Sequence, residues 1–320
     1  MGYLQSLHQT DLIVTEPTDI AMSLKPVRAR RLRDGMWVVV AKESEPLVVS
    51  ETVAKTLQER EEVEALSVLN PLIDTLSDAG FMSSSTEAEE RPSGAPVSFG
   101  WKTARTVLWM IGATFFLVSI VLLLHGGMPT GADIISAGSH PLLAIAVATG
   151  IAIVTAVPHE LGHAMFGNVL GYRHNFIRIQ ARQATATTNL THVWTWPLSP
   201  RLAAVTAGLI IDLGFLTLAL LLRIITASWI ATVAVSVIVL RILWQFRFHR
   251  NCDGRHIAKM LLDDPLIDVK TKEKFTTRSR ISIPHAAYWW LILIFIGILV
   301  ELALLAVWFA PAVLKMLGAL

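Results

Sequence analysis

The sequence predicts a mostly α-helical, polytopic membrane protein that carries a small α+β, winged-helix-like domain at its N-terminus. Of its 320 residues, 53% are hydrophobic and only 16% are charged, and the mean hydropathy is +0.55, which is far more apolar than a soluble chain. The charge is divided unevenly: residues 1–100 contain 16 acidic and 9 basic side chains, whereas residues 101–320 contain 18 basic and 9 acidic ones. Two differently built parts therefore meet near residue 100.

The N-terminal part is predicted to be a tail over residues 1–24, followed by a small folded domain over residues 25–82. Asp34-Gly35 separates two β-type runs as a hairpin turn, and Gly80 suits the position just after a helix. The predicted strands are Arg28–Arg33, Met36–Ala41 and Pro46–Val49, and the predicted helices are Glu51–Glu59, Glu62–Leu69 and Pro71–Ala79. Because so short a module buries only a small core and contains no catalytic constellation, we interpret it as a binding unit.

Three segments of this domain carry a resemblance to a known family. The runs RLRDGMWVVV, PLVVSETVAKTL and PLIDTLSDAGFM resemble the PqqD-like recognition domain that accompanies ribosomally synthesised, modified peptides. That resemblance implies that residues 25–82 bind the leader of a precursor peptide, which adds as a strand to the sheet edge against a helix. A generic winged-helix-like module and a regulatory domain remain the alternatives.

Residues 83–100 are predicted to be a linker, because they are rich in serine, acidic residues, proline and glycine. Residues 101–320 then form the predicted membrane domain. Its apolar runs are near the twenty or so residues that a hydrocarbon core requires. The five predicted spans are Thr106–Leu124, Leu142–Val169, Leu202–Leu222, Trp229–Phe246 and Ala286–Phe309.

Flanking charges predict the orientation of these spans. Basic side chains precede the first span, populate the loop 171–201 and are dense over residues 247–280, whereas the loop 125–140 contains only Asp133 as a charged residue. The positive-inside rule then places the N-terminal domain in the cytoplasm and the C-terminus outside a multi-pass cell membrane. The single cysteine, Cys252, allows no intrachain disulfide and suits a reducing compartment.

The motif that carries chemistry is Pro158-His159-Glu160-Leu161-Gly162-His163, at the end of the second predicted span. On a helix, His159 and His163 share one face, where two imidazoles can hold one zinc ion. Glu160 points beside that face, placed to act as the base toward water rather than as a ligand. Because such residues are expensive in a bilayer, a functional site is favoured over polar residues that merely end a helix.

A catalytic zinc site needs a third protein ligand, and Asp253 is the best candidate. It lies in Asn251-Cys252-Asp253-Gly254, and two intervening spans return it to the membrane face of the histidines. His249, Cys252 and His256 are rival ligands in the same segment.

These positions resemble the site-2-protease-type intramembrane zinc metalloproteases over residues 140–265. The resemblance implies zinc held by His159, His163 and Asp253, with Glu160 activating water. Two departures are visible: Cys252 stands where that family often has proline, and the segment 206–212 has Leu209 for proline and Asp212 for asparagine.

Three further charges lie within predicted spans. Asp212 and Arg241 are predicted to form a structural ion pair, because each is expensive alone in a membrane. Glu301 has no partner evident from the sequence. The loop 171–201 contains strand-like runs at 175–182 and 187–194, and a hairpin there could clamp an extended substrate.

Together the two resemblances imply a cytoplasm-facing peptidase that removes the leader from a ribosomally synthesised precursor, similar to the membrane proteases of daptide-type clusters. The expected cofactor is Zn²⁺, and the expected partners are the precursor and the lipid bilayer, with no nucleic acid. Two alternatives stay open: release of a membrane-tethered regulator, and a non-catalytic transport or immunity protein that binds metal.

Overall fold

The computed structural model of the protein describes residues 23–59, 69–83, 90–137, 140–170, 177–180, 185–277 and 285–318. It is mostly helical, with a small N-terminal sheet region, as the sequence predicts. The predicted tail, apart from Ser23–Leu24, and nearly all of the predicted helix Glu62–Leu69 lie outside these ranges.

The N-terminal domain contains a three-stranded antiparallel sheet in the order β2-β3-β4, together with a two-stranded ribbon, β1-β5. Gly35, in the turn between β2 and β3, has a φ of +86°, which glycine adopts without the strain of a side chain. The β1-β5 ribbon is not among the strands that the sequence predicts. The elements are β1 (Ser23–Leu24), β2 (Val27–Arg31), β3 (Trp37–Ala41), β4 (Leu47–Val49), α1 (Glu51–Glu59), a 3₁₀ turn (Asn70–Leu72), α2 (Ile73–Asp78) and β5 (Met82–Ser83).

Successive residues of β3 pack into two different cores, because side chains alternate across a strand. Val39 and Ala41 join the core formed with α1 and α2. Val38 and Val40 instead join a cluster that includes Trp194 and other residues of the membrane domain. The sheet is therefore packed on both faces, and one of those faces lies against the membrane domain.

Part of the predicted linker takes part in this packing. Ala95 packs against the cluster that contains Val38, and the carbonyl of Ser93 accepts a hydrogen bond from the Trp196 indole at 2.9 Å. Residues 84–89 of the predicted linker lie outside the described ranges.

Among the described residues, four helices are long and apolar enough to cross a membrane. The predicted fourth span is a 16-residue helix, which at 1.5 Å per residue is ~24 Å long, against ~30 Å for a hydrocarbon core. The membrane domain comprises α3 (Phe99–Gly126), α4 (Gly131–Ala137), α5 (Pro141–Phe166), α6 (Leu198–Thr226), α7 (Trp229–Trp244), α8 (Asp253–Leu262), α9 (Ile267–Thr277), α10 (His285–Leu304), a π-helical turn (Leu305–Phe309) and α11 (Ala310–Met316).

A short antiparallel hairpin follows α5, formed by β6 (Ile177–Gln180) and β7 (Thr185–Thr188). The predicted second strand over residues 187–194 is wrong beyond Thr188, because residues 191–195 form a 3₁₀ helix. That helix buries Val193 and Trp194 against the N-terminal sheet, so burial of these side chains outweighs the β propensity of the segment.

Candidate metal centre

The candidate site lies in the last turns of α5, where the side chains of the helix change from exposed to buried. The preceding residues Ile153, Val154 and Val157 are 63%, 68% and 63% exposed, and their apolar side chains suit contact with lipid hydrocarbon. His159 and His163 are buried, because this end of α5 packs against α6. Their four-residue spacing places both imidazoles on the same face of the helix.

Three ligand-type atoms converge beside that face. His159 Nε2 lies 3.1 Å and His163 Nε2 lies 3.3 Å from Asp253 Oδ2, and the two nitrogens are 3.2 Å apart. Within the described ranges, these three side chains form the one group of His, Cys, Asp or Glu close enough to share an ion. The three residues predicted as ligands are therefore brought together.

The second nitrogen of each imidazole defines how the ring is protonated. His159 Nδ1 lies 3.0 Å from Asp212 Oδ2, and His163 Nδ1 lies 2.8 Å from the carbonyl oxygen of Ala204. Because a carboxylate and a carbonyl only accept, each Nδ1 must carry the proton and donate it. In the neutral rings, both Nε2 atoms then present lone pairs to Asp253, as metal-ligating histidines do.

This arrangement fits a metal ion. Three electron-rich atoms point at one volume, and they repel one another unless a cation or a shared proton lies between them. Two imidazole nitrogens and one carboxylate oxygen are a donor set of catalytic zinc sites, which keep a fourth position open. The residues present therefore suit a divalent ion such as Zn²⁺.

Gly208 of α6 keeps this volume clear. A Cβ at this position would lie 2.5 Å from His163 Nε2 and 2.7 Å from His159 Nε2. Both distances are shorter than van der Waals contact, so α6 can approach the two imidazoles only through a residue without a side chain.

Asp253 is held at the site by the segment before it. Its backbone N–H donates to Gln245 Oε1 at 3.0 Å. The next residue, Gly254, packs so closely that a Cβ there would lie 2.0 Å from the Gln245 carbonyl oxygen. The glycine after Asp253 thus allows α8 to begin directly against the end of α7.

Two of the three rival ligands are engaged elsewhere. Nε2 of His249 is hydrogen-bonded to Glu301. Cys252 Sγ donates to the Gln245 carbonyl at 3.1 Å, and burial raises the pKa of this thiol, which disfavours the thiolate that binds metal. His256 is not part of the convergent group.

Glu301, for which the sequence offers no partner, has three. His249 bonds to one oxygen of its carboxylate, while Arg247 and Arg250 lie 3.2 Å and 3.4 Å from the other. These contacts hold the segment between α7 and α8 against α10. Sequence separations of 51 to 54 residues hide such a cluster from local pattern analysis.

The predicted Asp212–Arg241 ion pair is present, and Asp212 is fully buried. Arg241 also donates to Thr155 Oγ1 at 2.7 Å and to the Thr155 carbonyl at 3.3 Å. These bonds lie one turn before His159, next to Pro158, which lacks the N–H that would donate to the Val154 carbonyl. The contact of Asp212 with His159 was missed, although Ala204, Gly208 and Asp212 lie at four-residue steps along one face of α6.

Glu160 is half-buried, and it is anchored by the hairpin after α5. Thr188 Oγ1 of β7 donates to Glu160 Oε2 at 2.7 Å. Among the described residues, none bonds to the other carboxylate oxygen, and the residue that holds this carboxylate is one that no sequence signal singled out.

Comparison of the chain with protein-family models, with curated proteins and with solved structures finds no match in any of the three.

Proposed function

We propose that this protein is an intramembrane zinc metalloprotease of the site-2 type, which cleaves a ribosomally synthesised precursor peptide. The observation that carries the proposal is the convergence of His159 Nε2, His163 Nε2 and Asp253 Oδ2 on one volume, with Glu160 next in the chain. A His-Glu-x-x-His helix with these features serves peptide-bond hydrolysis.

In the proposed reaction, groups of the chain itself transfer the proton and orient the metal ligands. A bound zinc ion supplies Lewis-acid polarisation of the scissile carbonyl and lowers the pKa of water. Glu160 takes the proton from the attacking water and delivers it to the departing amine. Asp212 and the Ala204 carbonyl keep the two imidazoles in the ligating tautomer.

The proposed orientation places the N-terminal domain, the metal centre and α8 toward the cytoplasm, with α7 as a fifth, short span. Basic flanking segments support it. In a Cys252→Ser background, a cysteine at Met128, which is 45% exposed, should react with an impermeant thiol reagent outside intact cells. A cysteine at Glu90 should not, and the reverse labelling would overturn the orientation.

The proposed substrate is a precursor whose leader is held by residues 25–82. The strand order makes β4 an edge of its sheet, and an edge strand offers main-chain groups to an added peptide strand. The β6-β7 hairpin, which carries the anchor of Glu160, offers a second strand edge near the scissile segment.

Single substitutions at the site distinguish the proposed catalytic base, Glu160, from the proposed metal ligands. Glu160→Gln should lower cleavage about 10²–10⁴-fold while the full-length chain retains one zinc ion, since Gln keeps the bond with Thr188 but cannot take a proton. His159→Ala, His163→Ala and Asp253→Ala should lose both zinc and activity. Wild-type zinc content and cleavage in Asp253→Ala would contradict the ligand assignment and return His249, Cys252 and His256 to the test.

The same Glu160→Gln chain tests the substrate class, because it binds without turnover. Titrated with a leader-bearing precursor peptide, the full-length chain should bind the complete precursor and not the leaderless core. Equal binding of both would remove the leader role and favour a membrane-tethered regulator as substrate.

A further inference from the structure

Asp263, which ends α8, joins three elements through one carboxylate. Arg30 of β2 approaches it with two nitrogens, at 2.7 Å from Oδ1 and 3.2 Å from Oδ2. Arg201 of α6 places both terminal nitrogens 3.0 Å from Oδ1. Asp263 is 6% and Arg201 2% exposed. We refer to Arg30, Arg201 and Asp263 as the Asp263 junction.

Two of these elements also build the metal centre. Asp263 ends the ten-residue helix that begins with Asp253. Arg201 lies on α6 at the spacing that places it in line with Ala204 and Gly208, which contact the two histidines. Arg201 Nη2 also donates to the carbonyl of Met260 at 3.1 Å, so it holds the last turn of α8 as well as its terminal carboxylate.

The third element, the N-terminal sheet, is fixed to the same place. Arg30 Nε donates to the carbonyl of Trp194 at 2.9 Å, and the Arg33 N–H donates to Asp263 Oδ2 at 3.2 Å. Leu32 and Val38 pack in one cluster with Met260 of α8. The sheet cannot separate from α8 without exposing this cluster and leaving the Asp263 carboxylate with one cation fewer.

We propose that the N-terminal sheet is a positioning element of the metal centre: Arg30 holds the end of α8 through Asp263 and thereby places Asp253 against the two histidines. A helix of ten residues transmits a displacement of one end to the other, since its backbone hydrogen bonds keep it rigid. The inference rests on the proposed metal site, and it assigns the N-terminal domain a role that does not depend on a bound leader.

The test measures metal binding by the full-length chain in detergent, without substrate. Arg30→Ala should weaken Zn²⁺ affinity about 10–100-fold, the range for residues that orient ligands. Cobalt in place of zinc should lose absorption intensity in its visible bands as Asp253 moves away. The matched control is Arg31→Ala, which removes the same charge from the same strand at an exposed position and should leave both readings at the wild-type value.

The conservative variant Arg30→Lys should recover part of the affinity, since a lysine contacts one carboxylate oxygen but cannot form the two-pronged bond. If Arg30→Ala does not fold, Arg30→Gln, which keeps an N–H donor without the charge, is measured for the same change. Wild-type affinity and cobalt spectrum in the folded Arg30 variants would overturn the proposal. Failure of the wild-type chain to bind either metal would instead refute the metal site itself.

Discussion

The helix α8 has a carboxylate at each end, and the two have opposite surroundings. Asp253, at its start, faces two imidazole nitrogens and is 24% exposed. Asp263, just past its end, faces two guanidinium groups and is almost fully buried. A carboxylate is favoured at a helix N-terminus and disfavoured at a C-terminus, so Asp263 is the one that requires permanent cations.

This difference separates a structural charge from a chemical one. The arginines of the Asp263 junction cannot lose their protons in a protein, so that carboxylate is neutralised whenever the chain is folded. The partners of Asp253 are imidazoles whose Nδ1 atoms face Asp212 and the Ala204 carbonyl, which leaves both Nε2 atoms and this carboxylate for a removable cation. A carboxylate that faces imidazole nitrogens rather than arginines therefore marks the candidate metal centre.

The largest effect expected from this comparison is that Asp253→Asn and Asp263→Asn have opposite phenotypes, the first losing function and the second losing stability. Asp253→Asn should abolish cleavage and zinc binding, yet leave the metal-free Tm close to the wild-type value. Asp263→Asn should lose about 3–5 kcal/mol of unfolding free energy, because the buried Arg201 and the half-buried Arg30 remain without their counter-charge. Asparagine tolerates the left-handed backbone of residue 263, whose φ is +58°, so the change tests charge and not strain.

Measurements of zinc content, cleavage and metal-free Tm on both variants test this prediction. It is contradicted if Asp253→Asn is the less stable chain without metal, or if Asp263→Asn keeps the wild-type Tm.

A smaller effect is expected from a methyl group placed against the metal centre. Gly208→Ala should lower zinc affinity at least about tenfold, since its Cβ would overlap both imidazoles. The matched control is Gly150→Ala in α5, where a Cβ would meet nothing within 4 Å and which should gain up to about 1 kcal/mol of stability. Equal zinc affinities of the two variants would show that α6 does not approach the ligands this closely.

The parts of this molecule that follow from local spacing could be predicted from the sequence. His159 and His163 share a helix face by periodicity alone, and the helical runs follow from length and hydropathy. Asp253 required only that two helices run out and back. Its approach to the histidines is a consequence of that topology.

What could not be predicted depends on how helices rotate against one another. The bond between Asp212 and His159 and the cluster around Glu301 join residues about 50 positions apart. The sequence likewise shows Arg30 as one of several arginines in a strand, and nothing local distinguishes it from Arg31. Only the packing of the sheet on α8 makes Arg30 a half-buried partner of Asp263 and leaves Arg31 exposed.

The smallest effect concerns acid stability of the Asp263 junction. Burial alone would raise the pKa of Asp263, but the hydrogen bonds and charges of Arg30 and Arg201 outweigh it and hold this pKa below its usual value. Such a group contributes stability above its unfolded pKa of about 3.9, and that contribution is lost as pH falls toward the folded pKa.

With a chelator present to exclude metal effects, the Tm difference between the wild-type chain and Asp263→Asn should be constant from pH 7 to about pH 5. It should shrink below about pH 4, because this carboxylate then becomes protonated in the unfolded wild-type chain, which favours unfolding, while it stays charged in the folded chain. A Tm difference that stays unchanged down to pH 3 would mean that Arg30 and Arg201 do not stabilise the charged form, and the contrast with Asp253 would lose its electrostatic basis.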